Sequence, residues 1–142
     1  LIAIGGELSD LGDHLRRVAE ALGLAVAEPP EEMWSARAFF FSDQLAFAER
    51  GVPAVLVNEG FDWPGWSREA AIARALEWMQ QTYHSPADAL RQPLDWRAAA
   101  RHTAVLAAVV AAVADSRVSP EWRPGVAYGY ERQLSRAREM RR

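Results

Sequence analysis

The tyrosine and histidine of the segment Tyr-His-Ser-Pro-Ala-Asp are the side chains best suited to chemistry in this chain. Tyr83 and His84 follow a predicted helix and lead into an irregular segment, where catalytic groups are often carried. An imidazole can bind a metal, and a phenol can donate a hydrogen bond to a developing oxyanion. Asp88 follows across a Ser-Pro turn and could accept the second imidazole N–H, which would fix the histidine tautomer.

A purely structural interpretation of the same segment stays open. Tyr83 would then pack at the exit of a helix, Pro86 would end that helix, and Asp88 would cap the next turn. A structural interpretation also fits the other two histidines. His14 and His102 lie beside the apolar faces of two predicted helices, which is typical of partly buried, hydrogen-bonded side chains.

Two further segments flank this one in the order found in a known enzyme family. Upstream is Phe-Phe-Ser-Asp-Gln-Leu-Ala-Phe-Ala-Glu-Arg-Gly-Val-Pro-Ala at 40–54, and downstream is Pro-Glu-Trp-Arg-Pro-Gly at 120–125. Together the three segments resemble the C-terminal half of a dizinc aminopeptidase domain, in the family that also contains glutamate carboxypeptidase II. The resemblance covers nearly the whole chain and depends on three short motifs in order, since no one motif would suffice.

The resemblance implies a site and a reaction. It makes His84 a ligand of one of two zinc ions, and Tyr83 the donor that stabilises the tetrahedral intermediate of peptide hydrolysis. Asp88 becomes the candidate acceptor for the imidazole. The implied function is a zinc-dependent exopeptidase, most simply an aminopeptidase, with a peptide as its substrate.

Six other residues are candidates for the substrate pocket. By resemblance, Ser42, Asp43 and Gln44 lie near the substrate cleft, although helix capping explains Ser42 and Asp43 equally well. Gln44 and Phe41 stand where histidine and arginine are usual in the family, which puts substrate preference in doubt. Three more candidates follow the predicted strand at 52–57, at the usual binding edge of a parallel sheet; packing beneath a long loop is the alternative. They are Asn58, Glu59 and Trp63.

The remaining ligands of such a site have no counterpart in this sequence. The family places a His-x-Asp pair, a Glu-Glu pair and a further Asp upstream, and one glutamate of the pair acts as general base. The only paired glutamates, Glu31 and Glu32, lie in a Pro-rich loop at the wrong place in the order. A catalytic zinc needs about three protein ligands. We therefore expect residues 1–142 to be the C-terminal portion of one zinc-peptidase domain, with a tail at 119–142, inactive without the N-terminal half.

Two other functions stay open. The absent ligands and Gln44 are compatible with a non-catalytic relative or fragment that acts as a binding or structural module. A glutaminyl-cyclase-like aminoacyl transferase of the same fold would share the histidine. Pyroglutamate formation, as opposed to peptide release, would distinguish that enzyme from a peptidase.

Composition narrows the class of protein. The chain has 142 residues, half of them apolar, a net charge of −3 and no cysteine, which fits one globular domain without disulfides or thiolate metal sites. Negative charge argues against nucleic acid as a partner, and no apolar run reaches the roughly 20 residues that span a membrane. The resemblance implies an extracellular or periplasmic location.

Apolar runs alternate with helical patterns along the chain. We expect strands at 1–4, 24–27 and 52–57, extended aromatic backbone at 38–41, and helices after Ser9 or Asp10, Ser42 or Asp43, Ser67 and Asp95. An arginine-rich helix should end the chain. Strands that are apolar throughout predict a buried, mostly parallel (mixed) sheet. The expected fold is α/β, part of a three-layer α/β/α sandwich of the zinc-peptidase type.

Overall fold

The computed structural model describes residues 1–31 and 35–140. Within these ranges the chain forms six helices and two short strands. In chain order they are β1 (Ile2–Ile4), α1 (Leu11–Ala21), α2 (Ser35–Phe40), α3 (Gln44–Ala48), β2 (Leu56–Asn58), α4 (Arg68–Gln81), α5 (Trp96–Ala114) and α6 (Tyr128–Glu139).

The sheet differs from the predicted one. β1 and β2 pair antiparallel, with Ile2 opposite Asn58 and Ile4 opposite Leu56, and they form a two-stranded sheet. The predicted strand at 24–27 makes only one parallel bridge, between Ala27 and Ile2. The expected three-layer α/β/α sandwich with a mostly parallel sheet is therefore wrong for the part of the chain that the structure describes, which is mainly helical.

The parallel sheet was predicted wrongly because the prediction depended on short apolar runs. Such runs fit a buried strand and other buried backbone equally well, because four to eight apolar residues carry no decisive period. The aromatic run predicted as extended at 38–41 lies mostly in α2. Helical geometry places Phe39 in the core at 2% exposure while Phe40 is 53% exposed.

β1 organises the core because its alternate side chains face opposite ways. Ala3 packs with Leu15 and Ala19 of α1 and with Val105 and Val109 of α5. On the other face, Ile4 joins Phe39, Ala48 and Trp122, while Ile2 packs with Phe61 and Ala71. All three residues of this strand are buried, so the clusters share β1 as their common boundary.

Two of the four predicted helix caps are confirmed. The Ser67 side chain accepts a hydrogen bond from the Ala70 N–H, and the Asp95 carboxylate accepts from the N–H groups of Arg97 and Ala98. Asp10 and Asp43 precede α1 and α3 but make no side-chain cap bond, so capping by either is wrong. The Asp10 carboxylate instead accepts from the Glu121 N–H at 2.8 Å.

The segment before α6 joins the tail to the core. Ser9 and Trp122 form an antiparallel bridge, and the Arg123 N–H donates to the Leu8 carbonyl at 2.9 Å. The buried Trp122 indole donates to the Gly51 carbonyl at 3.0 Å. Gly51 has a φ of 77° and lies against the backbone of α6, where a Cβ would clash. The predicted terminal helix is confirmed, and it packs on the domain.

Candidate functional site

The candidate site is the turn that follows α4. The N–H groups of Thr82 and Tyr83 both bond to the Trp78 carbonyl, which closes the helix. His84 then adopts a φ of 54°, the positive-φ non-glycine residue of the described chain. Histidine tolerates this left-handed region better than most residues, and strained backbone of this kind is concentrated at functional sites. The conformation turns the chain sharply at the residue expected to bind metal.

The side chains of Tyr83 and His84 form an exposed aromatic pair. Their ring centroids lie 3.8 Å apart with planes inclined by 21°, a stacked arrangement. Trp78 lies behind Tyr83, at 5.4 Å between centroids. Tyr83 is 46% exposed and His84 is also exposed. A phenol and an imidazole are thus presented to solvent side by side, each open to a further partner.

The turn beyond His84 is held by local hydrogen bonds. The Ser85 hydroxyl donates to the Thr82 carbonyl at 2.6 Å and accepts from the Ala87 N–H at 3.1 Å. The Asp88 N–H then bonds to the Ser85 carbonyl at 2.9 Å. This series of turns fixes the backbone on the C-terminal side of His84.

Asp88 is engaged with Gln92. Its carboxylate accepts from the Gln92 amide at 2.9 Å, and the Gln92 carbonyl accepts from the Trp78 indole N–H. Among the hydrogen bonds of residues 1–31 and 35–140, none joins Asp88 to His84. Its expected role as acceptor for the imidazole stays a prediction. Sequence reasoning missed Trp78 and Gln92, because the pair joins residues fourteen apart in no recognisable motif.

Of the three candidates at 42–44, Gln44 contacts α2. Gln44 is buried at 8% exposure, and its amide donates to the carbonyls of Phe39 at 3.0 Å and Ala38 at 3.4 Å. These carbonyls belong to the end of α2, where helix acceptors lack intrahelical partners. Ser42 is half-buried and Asp43 is exposed. A pocket role for the three residues stays a prediction, and the observed contacts of Gln44 are structural.

The three candidates after β2 are split between sheet, solvent and core. Asn58 closes β2 opposite Ile2, and Glu59 is exposed. Trp63 packs against the cluster that contains Phe61, and its indole donates to the Gly60 carbonyl at 3.0 Å. Only the Glu59 side chain is therefore fully open to a ligand, and pocket roles for the set stay predictions.

The donor set of the described residues does not fit a complete zinc site. A catalytic zinc takes about three protein ligands, and no group of three or more histidine, aspartate or glutamate side chains within 1–31 and 35–140 could hold a metal ion. His14 lies 3.1 Å from a guanidinium nitrogen of Arg17, and half-buried His102 projects from α5. His84 is thus a single available ligand. Glu32, of the paired glutamates, lies outside the described residues.

Comparison with known proteins gives one match. Residues 2–110 match the family model described as Peptidase family M28. This range includes every candidate site residue and leaves out residues 111–142, which contain the end of α5 and the tail. Comparisons with curated proteins and with solved structures gave no match.

Proposed function

Because this chain belongs to peptidase family M28, we propose that it contributes Tyr83 and His84 to the active centre of a zinc-dependent exopeptidase, most simply an aminopeptidase. Peptidases of this family are generally zinc-dependent. The observation that carries the proposal is the geometry after α4, where a left-handed backbone presents a stacked phenol and imidazole to solvent. A peptide is the proposed substrate.

Tyr83 is proposed to stabilise negative charge on the substrate. Its ring contacts the rings of both Trp78 and His84, which restricts the positions that the hydroxyl can take. A pre-positioned donor of this kind acts on charge that develops in the transition state, and its removal typically lowers kcat by about 10² to 10³. The role requires only that the substrate carbonyl approach the exposed edge of the phenol.

His84 is proposed to supply one imidazole nitrogen to a metal whose other ligands come from polypeptide outside residues 1–142. The support is chemical: the side chain is exposed, and the described residues provide no group of three donors. No metal-dependent step is assigned to this chain by itself. We also propose no nucleic acid as partner, in line with the net charge of −3, no membrane partner, and, from the resemblance, an extracellular or periplasmic location.

A binding module without catalysis is the second candidate. It is favoured by the buried position of Gln44, whose amide is committed to α2 where the resembling family carries histidine. The two functions differ in what His84 does. In a peptidase its loss abolishes turnover, and in a binding module it does not.

The test is turnover by the product of the whole reading frame that encodes residues 1–142, expressed with zinc. Hydrolysis of an aminoacyl anilide would be measured for the wild type, Tyr83→Phe and His84→Ala, with His14→Ala as matched control. We expect His84→Ala to abolish turnover, Tyr83→Phe to lower kcat by about 10² to 10³ with KM little changed, and the control to match the wild type.

The same assay separates the alternatives. Turnover by His84→Ala equal to that of the wild type would refute the peptidase role. No turnover by any variant, with a folded protein, would favour the binding module. Cyclisation of a glutaminyl peptide in place of anilide hydrolysis would indicate the aminoacyl transferase.

A further inference from the structure

Two tryptophans of the loop after β2 are joined by a β-turn. The segment Trp-Pro-Gly-Trp occupies positions 63–66, and the Trp66 N–H donates to the Trp63 carbonyl at 3.0 Å. Gly65 has a φ of 81°, as a type II turn requires at its third position, and the proline at the second position has its own φ fixed by its ring. The turn therefore holds the backbone of both tryptophans in one geometry.

The indole rings of Trp63 and Trp66 form a corner at the surface. Their centroids lie 5.7 Å apart with planes inclined by 77°. Trp63 is the inner wall, since it packs against the cluster that contains Phe61 and its indole donates to the Gly60 carbonyl. Trp66 is the outer wall and is 51% exposed. We call the two rings the tryptophan corner. Because the core and the turn already restrict them, a ligand that binds there orders little further structure.

The loop that carries the tryptophan corner has an excess of negative charge. Residues 58–69 contain three carboxylates and one guanidinium, that of Arg68, so their net charge is −2. The carboxylates belong to Glu59, Asp62 and Glu69. Glu59 is exposed, and the Asp62 side chain is 78% exposed. A positively charged ligand is therefore favoured over a neutral or negative one at this part of the surface.

The positive groups near this loop already have partners. The Arg68 guanidinium lies 3.7 Å from the Asp62 carboxylate and 5.9 Å from the centroid of the Phe61 ring. The amino group of Leu1, which lies near the same loop, donates to the Ala25 carbonyl at 2.9 Å. Arg68 thus shows a cation held by an aromatic face and a carboxylate together. Among the side chains that the structure describes, no guanidinium lies over either ring of the tryptophan corner.

We propose that the tryptophan corner binds a small organic cation of the alkylammonium type. The face of an indole attracts a cation more strongly than that of any other aromatic side chain. Two indole planes set nearly at a right angle can contact a rounded, methylated ammonium group from two sides, and the nearby carboxylates add charge attraction. A neutral sugar would gain nothing from the negative charge of the loop. The proposal is independent of the peptidase function.

The test is titration of residues 1–142 with choline at constant ionic strength, followed through the indole N–H signals in NMR spectra. The matched control ligand is dimethylbutanol, the neutral alcohol in which carbon replaces the quaternary nitrogen of choline. We expect choline to shift the signals of Trp63 and Trp66 and to bind at least about fivefold more tightly than the alcohol. An acetylated trimethyllysine amide, titrated in parallel, distinguishes a free ammonium ligand from an alkylated lysine side chain by which of the two cations binds more tightly.

Substitution of the outer wall tests the corner itself. Trp66→Leu keeps an apolar side chain but removes the aromatic face, and should raise the dissociation constant for choline at least about fivefold. Trp96→Leu, at a tryptophan that is 69% exposed on α5, is the control and should bind choline like the wild type. Glu59→Gln should weaken choline binding by up to about fivefold and leave the binding of dimethylbutanol unchanged. Circular dichroism would confirm that each variant is folded.

Three results would overturn the proposal. The first is equal affinity of the wild type for choline and dimethylbutanol, and the second is no binding of choline up to about 50 mM. The third is choline binding that Trp66→Leu leaves unchanged. Binding of maltose in place of choline, lost in Trp66→Leu, would assign the corner to a sugar and would overturn the proposal as well.

Discussion

Gln92 connects the two ends of the segment that carries Tyr83 and His84. Its carbonyl accepts from the Trp78 indole, and its amide donates to the Asp88 carboxylate. Trp78 in turn supports the ring of Tyr83. One amide side chain thereby ties α4 to the far end of the turn, and the stacked pair lies between these two anchor points.

Replacing Gln92 by alanine should loosen this turn. Both hydrogen bonds are lost, and since each contributes about 0.5–1.5 kcal/mol, we expect the free energy of unfolding to fall by about 1–3 kcal/mol. Ring-current shifts of the Tyr83 protons in NMR spectra should also diminish as the stack becomes mobile. Arg91→Ala is the neighbouring control, and identical spectra and stabilities for the two variants would show that Gln92 does not position the pair.

Gln44 should behave as a structural residue. Alanine at this position leaves the buried Phe39 carbonyl without its 3.0 Å donor, and an unsatisfied buried acceptor costs about 1–3 kcal/mol. We expect Gln44→Ala to lose that much stability in urea unfolding. Asp43→Ala, at an exposed neighbour without a cap bond, should stay within about 0.5 kcal/mol of the wild type. Equal losses in both variants would contradict the contacts assigned to Gln44.

Single residues were predictable where a short motif surrounds them. Tyr83 and His84 belong to such a motif, and the structure places them together and exposed. The partners of Gln44 and Gln92 were not predictable, because an amide has two donors and an acceptor and can bond to many groups that only the folded chain brings near. Sequence alone could not distinguish a pocket amide from one committed to the end of a helix.

At the scale of elements, the start of α5 depends on Asp95, the residue that caps the helix. The pKa of the Asp95 carboxyl lies below its ordinary value of 3.8, chiefly because the Ala98 N–H donates a hydrogen bond to the carboxylate. Burial opposes this lowering of the pKa. Arg97 supports it, through its own N–H and through its positive charge. Because the folded-state pKa is the lower one, the stabilisation is complete above the ordinary value. It is lost as the pH falls through the folded-state pKa.

The corresponding prediction concerns pH. Asp95→Ala should lower the urea midpoint of unfolding at pH 7, and its difference from the wild type should shrink as the pH falls below about 3.8. Asp95→Asn keeps an oxygen that can cap and should remain closer to the wild type at neutral pH. A difference between Asp95→Ala and the wild type that is constant from pH 7 to pH 2 would contradict an ionised cap.

Helices were predicted better than strands for a physical reason. α1, α4 and α5 are long enough to show an apolar period, and Ser67 and Asp95 mark two of their starts. The strands contain three residues each, too few for alternation to be read. Their antiparallel pairing depends on a contact between residues 2–4 and 56–58, which no local pattern encodes.

At the scale of the whole molecule, the tail is part of the domain. Trp122 is 8% exposed and packs with Ile4, Phe39 and Ala48. Trp122→Phe keeps most of the apolar contact but removes the donor to the Gly51 carbonyl, so we expect a loss of about 1–3 kcal/mol. Trp66→Phe is the control, because Trp66 is 51% exposed. A tail that folds apart from the core would make the two substitutions indistinguishable in thermal unfolding.

The motif predicted a turn at Tyr83 and His84 after a helix, and the structure has a turn there, directly after α4. Tyr83 and His84 lie within the range that matches the family model, and their catalytic and metal-binding roles stay predictions. What surrounds the pair could not be predicted, since the expected sheet edge is replaced by an antiparallel two-strand pairing.

Zinc content, measured after dialysis by mass spectrometry, tests most directly whether His84 is one ligand of a site completed elsewhere. Residues 1–142 alone should retain well under one zinc per chain. The product of the whole reading frame should retain zinc, and His84→Ala should lower that content while His14→Ala leaves it unchanged. Tight stoichiometric zinc on residues 1–142, or a zinc content of the whole product that does not respond to His84→Ala, would contradict the assignment.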